Sequence, residues 1–506
     1  MPRYKHTDAV AGQGLFLSVN LKQQLLPGTF EHMLDQIIGT KIDISNFDSN
    51  YKNDATGASA IPPIVLLKLI FYGYSKGQYS SRKIWNLSLQ NIIAKALTGD
   101  MEIHWRTIAD FISGNRTLVT EIFTRVLIFC GELDLIGGET FAEDGLRLPS
   151  NASIENSGTI EQLKERVEIY KKMAEKQVSR HIAKDEKGEN DEQAQEAFLK
   201  RQKELHQRIQ KMQNFVRTEQ DKIGKEGQAL QSNVTDNESA MIKSSKGFIQ
   251  GYAGIAIADG KNQVIVSAEA FGTANEGEHM PVMLDNLIEN LEAVGIELDK
   301  EKPPIMLADA NYFSEESLGA CEERGFEAII PDIQEKRRVD GEGNRKFDIN
   351  DFKYNEEENK YECPEGKSLE HKGTATQNGV EREIYQAKLS DCKACAKFSQ
   401  CSWSKKEQSK VNQGRKLLVP KDKKPVEGGS HCGKMREKLK TEEYQEKYSK
   451  RIGIVEPVFG NIRYCKGLDR FTLRGKEKVN AQWQLYCIVH NLGKCLNAYN
   501  ERKKCA

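Results

Sequence analysis

The strongest constraint on the fold is an alternation of strand-like and helix-like segments in residues 139–154 and 246–334. The runs GFIQGYAGIAIAD and NQVIVSAEAFG are β-rich and enclose a short turn, which indicates a hairpin. An amphipathic segment, MPVMLDNLIENLEAVG, then precedes the apolar run PPIMLADANY, a second helical segment and the run EAIIP. Strands that alternate with helices predict an α/β core in which helices cover the faces of a partly parallel sheet.

The chain is longer than this core. Its 506 residues predict several structural units, and a content of 38% hydrophobic and 29% charged residues is ordinary for a protein with a sizeable core. No apolar run approaches the roughly 18 residues of a spanning helix, and the first residues lack the apolar stretch of a signal peptide. We therefore expect a cytoplasmic protein with no membrane partner.

Changes in composition divide the chain further. The predicted parts are an all-α N-terminal region at 1–135, an α/β core at 136–157 and 233–334, an inserted helical hairpin at 158–232, a polar cysteine-bearing insertion at 335–445, and a basic helical region at 446–506. The N-terminal helices could read DNA or be a plain packing domain. The hairpin could be a structural arm, or an arm for oligomerisation or DNA clamping.

The charge balance hides a segregation. The chain has 74 basic and 74 acidic residues, but residues 402–506 hold 25 basic and 11 acidic ones, a net charge of +14. A basic region favours association with nucleic acid whatever the total charge is. Solvated lysine-rich segments are the alternative interpretation.

Three acidic residues stand in apolar surroundings. Asp144 lies in ETFAEDGLRLPSNAS, Asp309 ends the run IMLAD, and Glu456 lies in IVEPVFG. Buried carboxylates need a compensating charge, and Mg²⁺ prefers oxygen ligands, so the three could converge on a pair of Mg²⁺ ions for phosphoryl transfer. Alternatively, the aspartates could each cap the following turn or helix, and the glutamate could pair with a nearby arginine.

Several sequence blocks resemble those of one protein family. The phrases DGLRLPSNAS, ADANYFSEESL and RIGIVEPVFGNIRYCKGLDRFTLRGKEKV resemble, in order, the acidic blocks of bacterial insertion-sequence transposases of the DDE class. The stretches IPPIVLLKLIFYGYSKGQYSSRKI and RTIADFISGN resemble the helical N-terminal domain of one branch of that class. The resemblance implies an RNase H-like catalytic core with the hairpin and the cysteine-bearing segment as insertions.

The resemblance also implies roles for individual residues. Asp144, Asp309 and Glu456 would be the catalytic, Mg²⁺- or Mn²⁺-binding carboxylates. Tyr448, Arg451 and Arg463 match, in order, the residues that flank the glutamate, and we expect them to contact DNA phosphates. The two arginines could equally form surface ion pairs.

A proline follows the predicted catalytic glutamate. Pro457 disfavours helical geometry at Glu456, so we expect the helix to kink or restart there.

Four cysteines form a separate group. Cys363 lies in YECPEG, and Cys392, Cys395 and Cys401 lie in DCKACAKFSQC, which contains one CxxC pair. Four thiolates can hold a structural Zn²⁺, although the usual signature has two such pairs. Reduced thiols that pack a small insertion and, less readily, disulfides are the alternatives. A similar cysteine pattern is implied for the insertion of related transposases.

Together these features predict a DDE transposase. It would bind the terminal inverted repeats of a bacterial element, cleave the DNA there and join the freed 3′-hydroxyl end to target DNA. When bound to DNA it would be associated with the nucleoid. Two element ends must be joined, so we expect a homo-oligomer on double-stranded DNA. A structure-specific nuclease on the same core, or a non-catalytic DNA-binding or scaffold protein derived from a transposase, are the alternatives.

Overall fold

The structure is a computed structural model of the chain. It describes residues 20–50, 59–187, 192–224, 227–244, 247–332, 347, 349–377, 380–401, 408–420 and 430–505. Residues 1–19 of the predicted N-terminal region, and parts of the cysteine-bearing insertion and of the basic C-terminal region, lie outside these ranges.

The N-terminal region is helical, as its sequence predicts. Thr29, Ser80 and Asn91 cap three of the helices by accepting backbone N–H groups, and Gly99 ends one of them at a φ of +64°. Pro63 occupies the first turn of another. The helices are α1 (Phe30–Ile37), α2 (Pro63–Ser75), α3 (Ser81–Gln90), α4 (Ile92–Thr98), α5 (Trp105–Gly114) and α6 (Arg116–Glu132).

A six-stranded mixed sheet forms the centre of the molecule. Its strands are β1 (Thr140–Pro149), β6 (Ala240–Ser244), β7 (Gly247–Asp259), β8 (Ile265–Phe271), β9 (Ile305–Ala308) and β10 (Glu327–Ile329). The order is β10-β9-β1-β7, and both β6 and β8 pair with the far edge of β7. Strands β1, β9 and β10 are parallel, whereas β7 runs antiparallel to β1. The predicted mixed α/β architecture is therefore confirmed.

Helices cover both faces of this sheet. They include α9 (Met280–Val294), α10 (Glu315–Glu323), α13 (His431–Lys438), α14 (Glu442–Gly460) and α15 (Lys476–Cys505). Trp483 of α15 packs over Gly254 of β7 and donates its indole N–H to the Ile255 carbonyl at 2.9 Å. A Cβ at Gly254 would lie 2.9 Å from the Trp483 ring, so only glycine admits this contact. The N-terminal helices and the sheet share one hydrophobic core.

A long helical hairpin follows β1. It consists of α7 (Ile160–Asp185) and α8 (Glu192–Thr218), and Thr159 and Gln162 form a capping box at its start. The two helices pack through a small apolar cluster that includes Leu163, Val167 and Met212. Two short strand pairs lie beside the hairpin: β2 (Ser157–Gly158) with β5 (Ser232–Asn233), and β3 (Lys222–Ile223) with β4 (Ala229–Leu230).

The cysteine-bearing segment contains more regular structure than its sequence suggests. It forms an antiparallel sheet of β11 (Lys353–Asn355), β12 (Lys360–Glu362), β13 (Ser368–Gln377), β14 (Val380–Ala387) and β15 (Lys416–Pro420), with the short helices α11 (Leu389–Lys393) and α12 (Phe398–Cys401). Its core, which includes Tyr361, Leu369 and Tyr385, is separate from the main one. Charged residues dominate these strands because one face is exposed, which hides the apolar alternation.

The helix does not restart at Pro457, contrary to one of the two outcomes expected there. Helix α14 continues through Glu456 and Pro457 to Gly460, and a π-helical turn, Asn461–Cys465, follows. Proline cannot donate to the carbonyl four residues earlier, which belongs to Gly453. That carbonyl instead accepts the side-chain amide of Gln263 at 2.9 Å, and this bond compensates the loss.

Burial of His490 on α15 predicts that stability depends on pH. The side chain is 3% exposed and its Nε2 lies 2.9 Å from the Gln263 carbonyl; burial lowers its pKa to about 4. In the unfolded chain His490 binds a proton near its ordinary pKa of 6.5, whereas in the folded protein it stays neutral down to about pH 4. The unfolded state is therefore favoured progressively as pH falls from 6.5 toward 4, and the stability present above pH 6.5 is lost in that range. From pH 7 to pH 5 we expect a loss of about 2 kcal/mol in the free energy of unfolding.

The measurement is chemical denaturation of the wild type and of His490→Gln at both pH values. The variant should lack most of this decrease. Equal decreases in the two proteins would show that His490 is not buried in its neutral form.

Candidate active site

Two aspartates lie side by side where the parallel pairing of β1 with β9 ends, in the middle of β1 and at the carboxyl end of β9. Asp144 lies in β1, and Asp309 directly follows β9. The last registered pair of these strands is Glu143 with Ala308, so the next residue on each strand is one of the two aspartates. Asp309 also caps a short 3-10 turn by accepting the Asn311 N–H at 2.8 Å. The carboxyl ends of parallel strands are where α/β proteins place their functional groups.

The pKa of Asp144 reflects its surroundings. Burial raises it to about 6, the Arg451 guanidinium and the Gly145 N–H oppose the rise, and the negative charges of Asp309 and Glu276 add to it. Asp144 is therefore electrostatically coupled to two other carboxylates.

Helix α14 supplies a cation to this site. Arg451 is 8% exposed, and its Nη2 donates to Asp144 Oδ2 at 2.7 Å. Tyr448 lies one turn earlier on the same helix. Burial raises the pKa of its hydroxyl, the charge of Arg451 opposes this rise, and the charges of Asp309 and Asp144 add to it. Two residues that the sequence associates with the glutamate thus lie beside the aspartates.

A second ion pair lies next to the first. Arg147 of β1 binds Glu276 through two bonds, Nε to Oε1 at 2.8 Å and Nη2 to Oε2 at 3.2 Å. Glu276 is only 3% exposed and packs against Gly145. The sequence analysis singled out neither residue, because the two lie 129 positions apart, Glu276 belongs to none of the acidic blocks, and Arg147 lies in the first block without a role assigned to it.

Glu143 is the second acidic residue of the site, after Glu276, that the sequence analysis missed. It is fully buried, neither carboxylate oxygen has a hydrogen-bond partner, and burial raises its pKa well above the usual value. The charges of Asp144, Glu276 and Asp309 raise this pKa further. Its position beside Asp144 in an otherwise apolar strand was the available signal.

The four carboxylates exceed the nearby positive charge. The charges of Asp144, Glu276 and Asp309 act on Glu143, and those of Asp309 and Glu276 act on Asp144. Among the described residues, only Arg147 and Arg451 form ion pairs with these carboxylates. An excess of oxygen ligands and negative charge suits a divalent cation.

Glu456 and Arg463 lie outside this group. Glu456 is exposed on α14, five positions after Arg451, and makes no hydrogen bond or ion pair with any described residue. Arg463 is exposed on the π-helical turn, where its guanidinium lies 5.8 Å from the ring centroid of Tyr464. Within the described ranges, no three His, Cys, Asp or Glu side chains are arranged to hold a metal ion. The structure therefore brings together Asp144 and Asp309 but not Glu456.

The four predicted cysteine ligands line one cavity of the small sheet domain. Cys363, Cys392, Cys395 and Cys401 all border it, and Cys392 and Cys401 are electrostatically coupled to the other two. Burial raises the pKa of both, that of Cys401 to about 11.

The fold and site define an α/β protein with an acidic centre at the middle of β1 and the carboxyl end of β9, joined to an N-terminal helical region. Residues 362–496 match the family described as "Transposase DDE domain", and residues 19–114 match "Transposase domain (DUF772)". These matches support the assignment of the chain to the insertion-sequence DDE transposases, which confirms the resemblance seen in its sequence. No curated protein and no solved structure matches the chain.

The two matches cover the site unequally. Glu456, Arg451 and the four cysteines lie within the matched DDE domain, whereas Asp144 and Asp309 precede it. Among the described residues, no helix is both long and apolar enough to cross a membrane.

A substitution at Gly145 tests the packing of the site. A Cβ at this position would lie 2.8 Å from Glu276 Cδ and 2.9 Å from Oε1, and Arg147 prevents this carboxylate from withdrawing freely. We expect Gly145→Ala to lower the free energy of unfolding by about 1–3 kcal/mol through overpacking. Chemical denaturation measures this change.

Gly453→Ala is the matched control. Nothing lies within 4 Å of a Cβ placed at Gly453, which is inside α14, so alanine there should stabilise the helix by about 0.5–1 kcal/mol. Equal effects of the two substitutions would contradict the tight contact between Gly145 and Glu276.

Proposed function

We propose that this protein is a DNA transposase that binds terminal inverted repeats and catalyses divalent-cation-dependent DNA cleavage and strand transfer. The observation that carries the proposal is the position of Asp144 and Asp309 side by side on the neighbouring parallel strands β1 and β9, in a chain that matches two transposase families. Such an enzyme acts as a polynucleotidyl transferase and endonuclease.

The sheet supports an RNase H-like catalytic core as part of this proposal. Five of its strands follow the order β8-β7-β1-β9-β10, with β7 antiparallel to β1 and the other three parallel to it. Asp144 lies in the central strand, and Asp309 follows its parallel neighbour. This arrangement agrees with the fold that the sequence resemblance implies.

Asp144 and Asp309 would hold the Mg²⁺ or Mn²⁺ ion, and the surplus of carboxylates around them is the feature that fits a cation. A bound divalent cation supplies positive charge that polarises the scissile phosphate and stabilises the oxygens that attack and leave. Glu456 is the proposed third carboxylate.

The residues of α14 would position these groups. Arg451 holds the Asp144 carboxylate through a charge-assisted hydrogen bond, and Tyr448 flanks both. Arg451 is 8% exposed and its Nε is buried without a hydrogen-bond partner, so a bond to a DNA phosphate would require the guanidinium to turn toward the surface. Arg463 and the 80% exposed Tyr464 offer a guanidinium and an aromatic ring to DNA.

A basic cleft continues from the end of β1. Arg470 donates to the Ser150 carbonyl at 3.1 Å and Arg474 donates to the Asn151 carbonyl at 2.8 Å. The exposed ring of Phe248 borders the same cleft, and no acidic side chain is among the described residues that line it. Arginines beside an aromatic ring suit a nucleic-acid strand, and the cleft begins five residues after Asp144.

The N-terminal helices would supply a second DNA contact. Arg82 of α3 and Arg106 of α5 place their guanidinium groups 4.9 and 5.8 Å from the ring centroid of Trp105. Both arginines are exposed, so their charges remain available to phosphates. Because two element ends must be joined, we propose that two copies act together.

Substitution of the aspartates tests the reaction. The assay supplies a pre-cleaved inverted-repeat end, an uncleaved end, a plasmid target and Mg²⁺. The wild type should cleave the uncleaved end and join the pre-cleaved end to the plasmid. The rates of both steps should fall at least about 100-fold in Asp144→Asn and Asp309→Asn, because these substitutions remove charge at the cation site. Asp299→Asn, an exposed aspartate of another loop, is the control.

The assay also separates the alternatives. Cleavage without joining would identify a nuclease, and DNA binding without either step would identify a non-catalytic protein. Full activity of either aspartate variant would overturn the proposed site.

A pair of glutamine substitutions tests the third carboxylate. Glu456 has no described partner, so Glu456→Gln should abolish cleavage with no change in stability. Glu276→Gln breaks a largely buried ion pair and should lower the free energy of unfolding by about 1–3 kcal/mol. Cleavage and chemical denaturation are measured for both.

The opposite pattern has a definite meaning. If Glu456→Gln cleaves at the wild-type rate and folded Glu276→Gln does not cleave, Glu276 is the third carboxylate, which its position beside Asp144 would then explain.

A further inference from the structure

The small sheet domain gathers four cysteines from separate stretches of chain. Cys363 follows β12, Cys392 lies in α11, Cys395 follows that helix, and Cys401 ends α12. All four border one partly enclosed cavity of about 380 Å³. This convergence has no part in the acidic site, which belongs to the other sheet.

Backbone amides point at two of the sulfurs. The Lys367 N–H donates to Cys363 Sγ at 3.3 Å, and the Arg415 N–H donates to Cys392 Sγ at 3.2 Å. Bonds from Cys363 N–H to the Lys367 carbonyl and from Gly366 N–H to the Cys363 carbonyl, both 2.8 Å, hold the first turn. Gly366 has a φ of +71°, which this tight turn requires. Both amides would keep these partners if the sulfurs were metal-bound thiolates, the form in which cysteine binds metals.

The domain also needs additional stabilisation. Among the described residues of the domain, seven buried apolar side chains form its separate core, and Cys363, Cys392 and Cys401 pack against that core. Cores of this size contribute little stability by themselves, and small domains often rely on a metal or on disulfides. The four cysteines are free thiols in the structure.

We propose that Cys363, Cys392, Cys395 and Cys401 bind one structural Zn²⁺ that fastens α11 and α12 to the turn after β12. Four cysteine ligands are typical of a closed structural zinc site. These four described sulfurs do not yet stand at coordinating distances from a common centre, so binding requires their side chains to turn into the cavity they share. The ion has no catalytic role in this proposal, which is therefore independent of the proposed transposase activity.

Metal content of the full-length protein tests the proposal without DNA. The protein is purified under reducing conditions, supplied with Zn²⁺ and dialysed, and its zinc is measured by mass spectrometry. We expect about one equivalent in the wild type and well below one in Cys392→Ser/Cys395→Ser. Cys465→Ser replaces an exposed cysteine outside the cavity and should keep the full amount.

A spectroscopic titration of the wild type covers the case in which the double variant fails to fold. Co²⁺ bound by thiolates gives near-ultraviolet charge-transfer absorption, and Zn²⁺ should displace it. Absence of both zinc and this absorption in the wild type would overturn the proposal, as would a folded double variant that holds as much zinc as the wild type. Loss of transposition with retained zinc would instead count only against the proposed function.

Discussion

The pairing of β1 with a strand on each side is the constraint on which the rest of the structure depends. Hydrogen bonds to β7 hold Asp144 opposite Ala256, and the parallel register with β9 brings Asp309 alongside. A shift of one residue would turn Asp144 to the other face of the sheet. Helix α14 packs on this central strand, and only there can Arg451 reach the Asp144 carboxylate.

Electrostatic compensation links this geometry to the proposed chemistry. Arg451 and Arg147 each neutralise one carboxylate, which leaves Glu143 and Asp309 without an ion pair among the described residues. The isolated protein thus retains negative charge in a partly buried site, while a basic cleft extends from the end of the same strand. Segregation of charge explains why a chain with no net charge can suit both a cation and a polyanion.

Local patterns predicted the parts of the fold whose causes lie within a few residues. Caps, helical periodicity and apolar strands marked the N-terminal helices and the α/β core, and the acidic blocks marked Asp144 and Asp309. The small sheet around Tyr361 and Tyr385 was missed because its strands bury one face only and carry many charges. The helix restart expected as one outcome at Pro457 did not occur, because Gln263, distant in sequence, bonds the carbonyl that proline leaves free.

The sequence by itself determined the class of protein, the mixed α/β core and the candidate residues, since these depend on residue type and short-range order. Only the tertiary structure decided which candidates meet. It placed Arg451 on Asp144, added Glu143, Glu276 and Arg147, and left Glu456 exposed on α14. The physical reason is that proximity and burial arise from strand register and helix packing between segments more than a hundred positions apart, which no local pattern encodes.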